Sequence, residues 1–237
     1  MWSATEPDQA RSALKTICIP LLLLLIATIG SPVIAAELFG DFPPQINADE
    51  TYIFYSHGLI VEGNNPQPVH PEFGTYDFPA IAEALFNSGT FNVIANHRPA
   101  GTDADQYAVK LSNWVRRLIN AGVQADNIAL VGFSRGAQIT LKAANQLNDL
   151  QINTAVMAVC FDGDFPTDPP IRLTGNILSI YETTDAVKSC HELLSRSARA
   201  SSTKEIAITT GFKHGAFYTP RPEWLNPLST WLAGPGR

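Results

Sequence analysis

The sequence predicts an α/β fold with a mostly parallel sheet and helices on both faces. Six apolar runs of strand length alternate along the chain with segments whose apolar residues recur at helical spacing. This alternation is typical of parallel sheets, because a parallel strand is reached through a crossover, usually a helix. The runs are apolar throughout, which indicates strands buried on both faces.

The first 36 residues have the order of a secretory signal peptide. A polar stretch with two basic residues precedes a leucine-rich run over 17–29, and small residues suitable for cleavage follow. This order predicts a signal peptide over 1–36, one domain over 37–237, and a periplasmic or secreted protein. The alternative is an uncleaved membrane anchor, because residues 17–36 together could cross a bilayer.

The mature chain divides into regular elements and two irregular segments. The predicted strands are 51–55, 91–95, 128–131, 154–159, 176–181 and 205–209, and the predicted helices are 76–87, 103–120, 135–148, 190–200 and 222–232. Asp77 is the expected N-cap of the first helix. Residues 37–50 lack periodicity and are predicted to be an extended leading segment. The proline-rich stretch 61–73 is predicted to be a long loop.

Charge and cysteine content narrow the possible partners. The net charge is −6 and the basic residues are scattered, so we expect no nucleic-acid partner. We also predict no cofactor and no metal site. Without the leader, Cys160 and Cys190 are the remaining cysteines. In an exported protein such a pair favours a disulfide, the alternative being two buried thiols.

The stretch 128–136 contains Gly132-Phe133-Ser134-Arg135-Gly136 between a predicted strand and a predicted helix. This is the sequence form of a nucleophile elbow, which presents a serine hydroxyl at the carboxyl edge of a sheet. Glycines two residues to either side leave space in the strained turn. The motif alone is weak evidence, since chance supplies it in about one chain in ten of this length.

The residues after the later strands provide candidates for an acid and a base. Asp185 follows the fifth strand and His214 follows the sixth, so serine, acid and histidine occur in the chain order of α/β-hydrolase triads. The histidine would take the serine proton and the carboxylate would orient the ring. Asp162, Asp164 and Glu182 remain alternative acids.

Backbone donors for an oxyanion are expected at two places. One is the N–H of Arg135, directly after the serine, and the other is the N–H of Leu59, in the loop after the first strand. His57 and Arg98 also follow strands and are candidate substrate-binding residues. Positive charge from Arg98 and Arg135 suggests an acidic substrate, and structural salt bridges are the alternative.

These residues together resemble a small α/β-hydrolase of the serine hydrolase family. His57-Gly58, the Gly132–Gly136 motif, Asp185 and His214 stand at that family's motif positions, and the resemblance spans the chain from Thr51 onward. The chain departs from the family in lacking a clear leading hairpin and an obvious lid domain.

The resemblance implies a hydrolase that cleaves a small-molecule acyl substrate, a small carboxylic ester or related compound, through an acyl-enzyme intermediate. Thioesterases and peptidases share the family. The alternative from another class is a catalytically silent binding protein with the same fold, because fold alone does not determine function.

Overall fold

A seven-stranded sheet, with all of its strands parallel, forms the centre of the computed structural model, which describes residues 1–3 and 36–234. The strands are β1 (Leu38–Phe39), β2 (Tyr52–Ser56), β3 (Val69–His70), β4 (Gly74–Thr75), β5 (Asn92–Ile94), β6 (Ile128–Phe133), β7 (Asn153–Met157), β8 (Thr174–Glu182) and β9 (Arg199–Ile208). Their order in the sheet is β1-β5-β2-β6-β7-β8-β9, while β3 and β4 form a separate antiparallel hairpin. The predicted fold class is therefore confirmed.

The helices lie on both faces of this sheet. They are α1 (Phe78–Phe86), α2 (Ala104–Asn120), α3 (Arg135–Gln146), α4 (His191–Arg196) and α5 (Pro222–Ala233). Alternate residues of a strand point to opposite faces, so Phe54 and Leu130 pack with α2 and α3, whereas Ile53 and Val131 pack with α1 and α5. Every residue of β2 and β6 is buried, as the continuous apolar runs predict.

Local sequence determines where the helix beginnings fall. Asp77 accepts a hydrogen bond from the Ala80 N–H at 3.1 Å, as expected of an N-cap, and Asp103 does the same for Gln106 at 2.8 Å. These caps satisfy backbone donors that have no partner within the helix.

The strand β9 differs most from its prediction. It begins at Arg199 rather than at residue 205, and α4 ends at Arg196 rather than at residue 200. β9 is an edge strand whose first half is polar and largely exposed, so its sequence lacks a buried face. Backbone pairing with β8 determines its length, beginning with Thr174 opposite Arg199.

Two short elements occupy segments that were predicted to be irregular. Leu38–Phe39 forms an edge strand parallel to β5, inside the predicted leading segment. The β3–β4 hairpin lies at the end of the proline-rich loop. In the described ranges, neither segment holds a leading antiparallel hairpin of the main sheet or an inserted domain.

Cys160 and Cys190 form the disulfide that the sequence favoured, with their Cα atoms 5.2 Å apart. The bridge joins the segment after β7 to the start of α4. The predicted leader lies almost wholly outside the described residues and stays a prediction. Among the helices of the described ranges, none combines the length and apolar character needed to cross a membrane.

Candidate active site

Ser134 occupies a strained turn between the end of β6 and the start of α3. Its φ is 53° and its ψ is −118°, a backbone conformation that is rare for a residue with a side chain. A Cβ on Gly132 would lie 2.5 Å from the Gly136 carbonyl oxygen, and one on Gly136 would lie 1.8 Å from the Ser56 carbonyl oxygen. Both glycines are therefore required for close backbone packing, as the motif predicts.

An aspartate and a histidine meet at the same edge of the sheet. The Oδ2 atom of Asp185, in the loop after β8, lies 2.7 Å from Nδ1 of His214, in the 3₁₀ turn Lys213–Phe217. The Asp185 side chain is 5% exposed and that of His214 is 19% exposed. If the His214 Nδ1–H donates to the carboxylate, Nε2 is left free to accept a proton.

Phe133 connects this pair to the elbow. Its ring centroid is 4.8 Å from that of His214, and Phe133 directly precedes Ser134. In the described part of the chain no hydrogen bond joins the Ser134 hydroxyl to His214. Such bonds often tighten only when substrate binds. The fold thus brings Ser134, Asp185 and His214 to one region, with the acid–base contact formed.

The alternative acids are engaged elsewhere. Asp164 makes a two-pronged ion pair with Arg196, one contact of which measures 2.6 Å, and hydrogen bonding from Arg196 lowers the pKa of Asp164. Asp162 lies exposed in a tight turn with a φ of 48°. Glu182 accepts hydrogen bonds from backbone groups of two loops. Within the described residues, Asp185 is the carboxylate that contacts His214.

The two expected oxyanion donors lie at helix beginnings. Leu59 is the first residue of the 3₁₀ turn Leu59–Val61, and Arg135 is the first residue of α3, so neither N–H has an acceptor within its own helix. Ser56 lies opposite Gly132 in the β2–β6 ladder, so the two segments leave the sheet side by side. A Cβ on Gly58 would come within 3.1 Å of the Phe133 ring, which places the loop against the elbow.

His57 and Arg98 are buried beside the loop that follows β2. Both side chains are 0% exposed. The Arg98 N–H donates to His57 Nε2 at 2.9 Å, so Nδ1 carries the proton and donates to the Gly58 carbonyl at 2.8 Å. Burial, with the charge of Arg98 adding to it, lowers the pKa of His57 to about 3, so the ring is neutral.

Arg98 supports the loop that His57 begins. Its guanidinium donates to the His57 carbonyl and forms an ion pair with Glu62 at 3.3 Å. Burial lowers the pKa of Arg98, and the charge of Glu62 opposes that shift. The role of His57 and Arg98 in substrate binding stays a prediction, and in this structure both side chains are buried. Arg98 makes a structural salt bridge with Glu62, which was the alternative to contact with an acidic substrate.

The sequence did not predict two contacts of the site. Phe133 packs against His214, and Glu182 accepts hydrogen bonds from the loop after β8 and from the loop after β9. Phe133 occupies a variable position of the elbow motif, so the pattern carries no information about its contact with His214. For Glu182 a signal was present, namely a carboxylate at the end of an apolar strand. A buried carboxylate needs hydrogen-bond partners, but the sequence does not say which.

The chain has an α/β-hydrolase fold. Within it, residues 92–172 match the family model of phospholipases and carboxylesterases. That segment runs from β5 to the residues before β8, so it contains Ser134 but neither Asp185 nor His214. No curated protein matches the chain significantly.

Solved structures of hydrolases share the fold. A protein of Pectobacterium atrosepticum described as a YdeN-like hydrolase is 15% identical, with a TM-score of 0.50 over 77% of this chain and 91% of its own. Esterase PE8 is 16% identical, with a TM-score of 0.52 and coverage of 81% and 97%. Esterase Est22 is 11% identical, with a TM-score of 0.50 and coverage of 81% and 75%. At these identities the similarity concerns the fold.

Proposed function

We propose that this protein is a serine hydrolase that cleaves a small carboxylic ester or a related acyl compound. Ser134 is the nucleophile, His214 the general base and then the general acid, and Asp185 the group that orients the ring. The observation that carries the proposal is the 2.7 Å contact between Asp185 and His214 at the sheet edge where Ser134 occupies its strained turn.

The chemistry follows from the roles of these groups. His214 Nε2 takes the Ser134 proton as the hydroxyl oxygen attacks the acyl carbon, and Asp185 stabilises the imidazolium that forms. The N–H groups of Leu59 and Arg135 donate to the negative oxygen of the tetrahedral intermediate. His214 then protonates the leaving alcohol, and water attacks the acyl-enzyme by the reverse sequence of proton transfers.

The experiment is labelling of the mature protein with a fluorophosphonate, which phosphonylates activated serines. We expect stoichiometric labelling of the wild type and none of Ser134→Ala, with labelling at least about a hundredfold slower in His214→Ala. Ser189→Ala is a matched control, because Ser189 contacts Glu205 rather than the site. Labelling that persists in Ser134→Ala would refute the nucleophile. A properly folded but unreactive wild type would instead favour the silent binding protein.

We also propose that the protein acts outside the cytoplasm, in the periplasm or the medium. The disulfide between Cys160 and Cys190 supports this proposal, because disulfides persist in oxidising compartments. The predicted leader over residues 1–36 supports it from the sequence. Amino-terminal sequencing of the protein recovered from cell fractions tests both points. A chain that keeps its leader in the membrane fraction indicates an anchor, and one in the cytoplasm contradicts the proposal.

A further inference from the structure

Glu182 is a fully buried carboxylate at the end of β8, between the segments that carry Asp185 and His214. Its two oxygens serve different loops. Oε2 accepts from the Thr184 N–H at 2.7 Å and from the Thr184 hydroxyl at 2.5 Å. Oε1 accepts from the N–H groups of Thr210 at 2.8 Å and Gly211 at 3.2 Å. One side chain therefore joins the loop that carries Asp185 to the loop that carries His214.

The Glu182 carboxylate accepts hydrogen bonds at the point where the pairing between β8 and β9 ends. The Thr183 N–H still donates to the Ile208 carbonyl at 2.9 Å, as in regular parallel pairing. Beyond that bond the chain turns towards Asp185 on one side, and on the other it passes through Gly211, whose φ is 77°, towards His214. Backbone N–H groups of both loops that would otherwise need acceptors are satisfied by Glu182.

An ionised group in this place needs strong compensation. Burial acts to raise the pKa of Glu182, but the hydrogen bonds from Thr184, Thr210 and Gly211 outweigh it, and the pKa is lowered from its ordinary value. Hydrogen bonds to a charged acceptor are stronger than neutral ones, so the two loops are held more firmly than by a neutral side chain.

We propose that Glu182 is a positioning residue, which holds the Asp185 carboxylate against His214 by fixing both loops in one arrangement. Thr184 is the neighbour of Asp185 in the chain, so a displaced Thr184 backbone would carry Asp185 with it. This inference rests on the proposed function, because it assigns Glu182 a role through the Asp185–His214 pair.

Glu205 provides a matched control in the neighbouring strand. Its carboxylate also accepts from one hydroxyl and one backbone N–H, those of Ser189 and Cys190, each at 2.6 Å. These donors lie at the start of α4 and do not belong to the catalytic loops. Glu205→Gln therefore perturbs two hydrogen bonds to a carboxylate, against four at Glu182, at a distance from the proposed chemistry.

The test compares Glu182→Gln, Glu205→Gln and the wild type in steady-state ester hydrolysis across pH. A glutamine keeps the shape of the side chain, but its NH₂ group cannot accept the N–H donors of whichever loop it faces. We expect kcat of Glu182→Gln to fall about 10- to 100-fold with KM changed less than about threefold, because small displacements of catalytic groups are costly. Glu205→Gln should lower the melting temperature and leave kcat unchanged.

The pH profile separates positioning from a general loss of structure. Asp185 stabilises the imidazolium form of His214, so a displaced Asp185 should move the acid limb of kcat/KM to lower pH in Glu182→Gln. Thr184→Val keeps the Glu182 charge and removes one donor, and it should produce a smaller shift in the same direction. This second variant decides the matter if Glu182→Gln does not fold.

Two results would overturn the inference while leaving the hydrolase assignment intact. One is a folded Glu182→Gln variant, or Thr184→Val in its place, whose kcat and acid limb of the kcat/KM profile equal those of the wild type. The other is an equal loss of kcat in Glu205→Gln. If the wild type does not react with the fluorophosphonate, the proposed function fails, and the role of Glu182 fails with it.

Discussion

Replacing Gly136 by alanine tests how tightly the elbow is packed. The new Cβ would lie 1.8 Å from the Ser56 carbonyl oxygen, whereas ordinary contact begins near 3.4 Å, so the two groups must separate by about 1.6 Å. Alanine gains about 1 kcal/mol of helix propensity within α3, but overpacking of this kind costs about 1–3 kcal/mol. We therefore expect a net loss of stability and a displaced elbow or displaced Ser56 segment.

Activity should respond more strongly than stability. Either displacement changes the distance between Ser134 and the loop that carries Leu59, and an error of about 1 Å can cost about a hundredfold in rate. The assay is kcat/KM on a neutral ester together with urea unfolding. Gly40→Ala is the control, since a Cβ there has nothing within 4 Å. If Gly136→Ala keeps kcat/KM within about threefold of Gly40→Ala, the elbow is not packed tightly enough for Gly136 to matter to catalysis.

Three further predictions concern the supporting structure. Arg98→Met should lower kcat/KM by the same factor for a neutral ester and its carboxylate analogue, because Arg98 holds the loop backbone; a larger loss on the acidic ester would mean direct contact. The pKa of His57 is lowered from 6.5 to about 3 in the folded protein, so the unfolded chain binds a proton first as pH falls. As the pH falls from about 6.5 to about 3, the free energy of unfolding should therefore drop by up to about 1.4 kcal/mol per pH unit from this group. Urea titrations at several pH values should show a weaker pH dependence of that free energy in His57→Gln. An unchanged pH dependence would contradict the shift. The bridge closes a loop with a sequence separation of 30. The Cys160→Ser/Cys190→Ser variant should therefore lose about 3–4 kcal/mol of unfolding free energy. Unfolding midpoints equal to those of the wild type would contradict this value.

Much of the fold follows from short-range pattern. The apolar runs that became β2 and β6 are buried on both faces, so burial itself produced the signal that predicted them. The edge strand β9 was predicted too short because its exposed first half packs against no core. Its extent depends on pairing with β8, a contact between segments that are separate in the chain.

The site divides in the same way. The Gly132–Gly136 motif and the chain order of Ser134, Asp185 and His214 are local or sequential features, and the sequence alone pointed to them. His57 and Arg98 also follow strands, and the same rule assigned them to a substrate. Position along the chain does not distinguish a side chain that faces the site from one buried beneath the loop.

By itself, the sequence determined the fold class, the elbow at Ser134, the pairing of Cys160 with Cys190 as the favoured alternative, and the candidate acid and base. The tertiary structure decided that Asp185 contacts His214, that Arg98 supports a loop, and that Glu182 joins two loops. Periodicity, turns and motifs report interactions between near neighbours. These three contacts instead join residues 29, 41 and 28 positions apart, so they exist only after the sheet has brought its strand ends together.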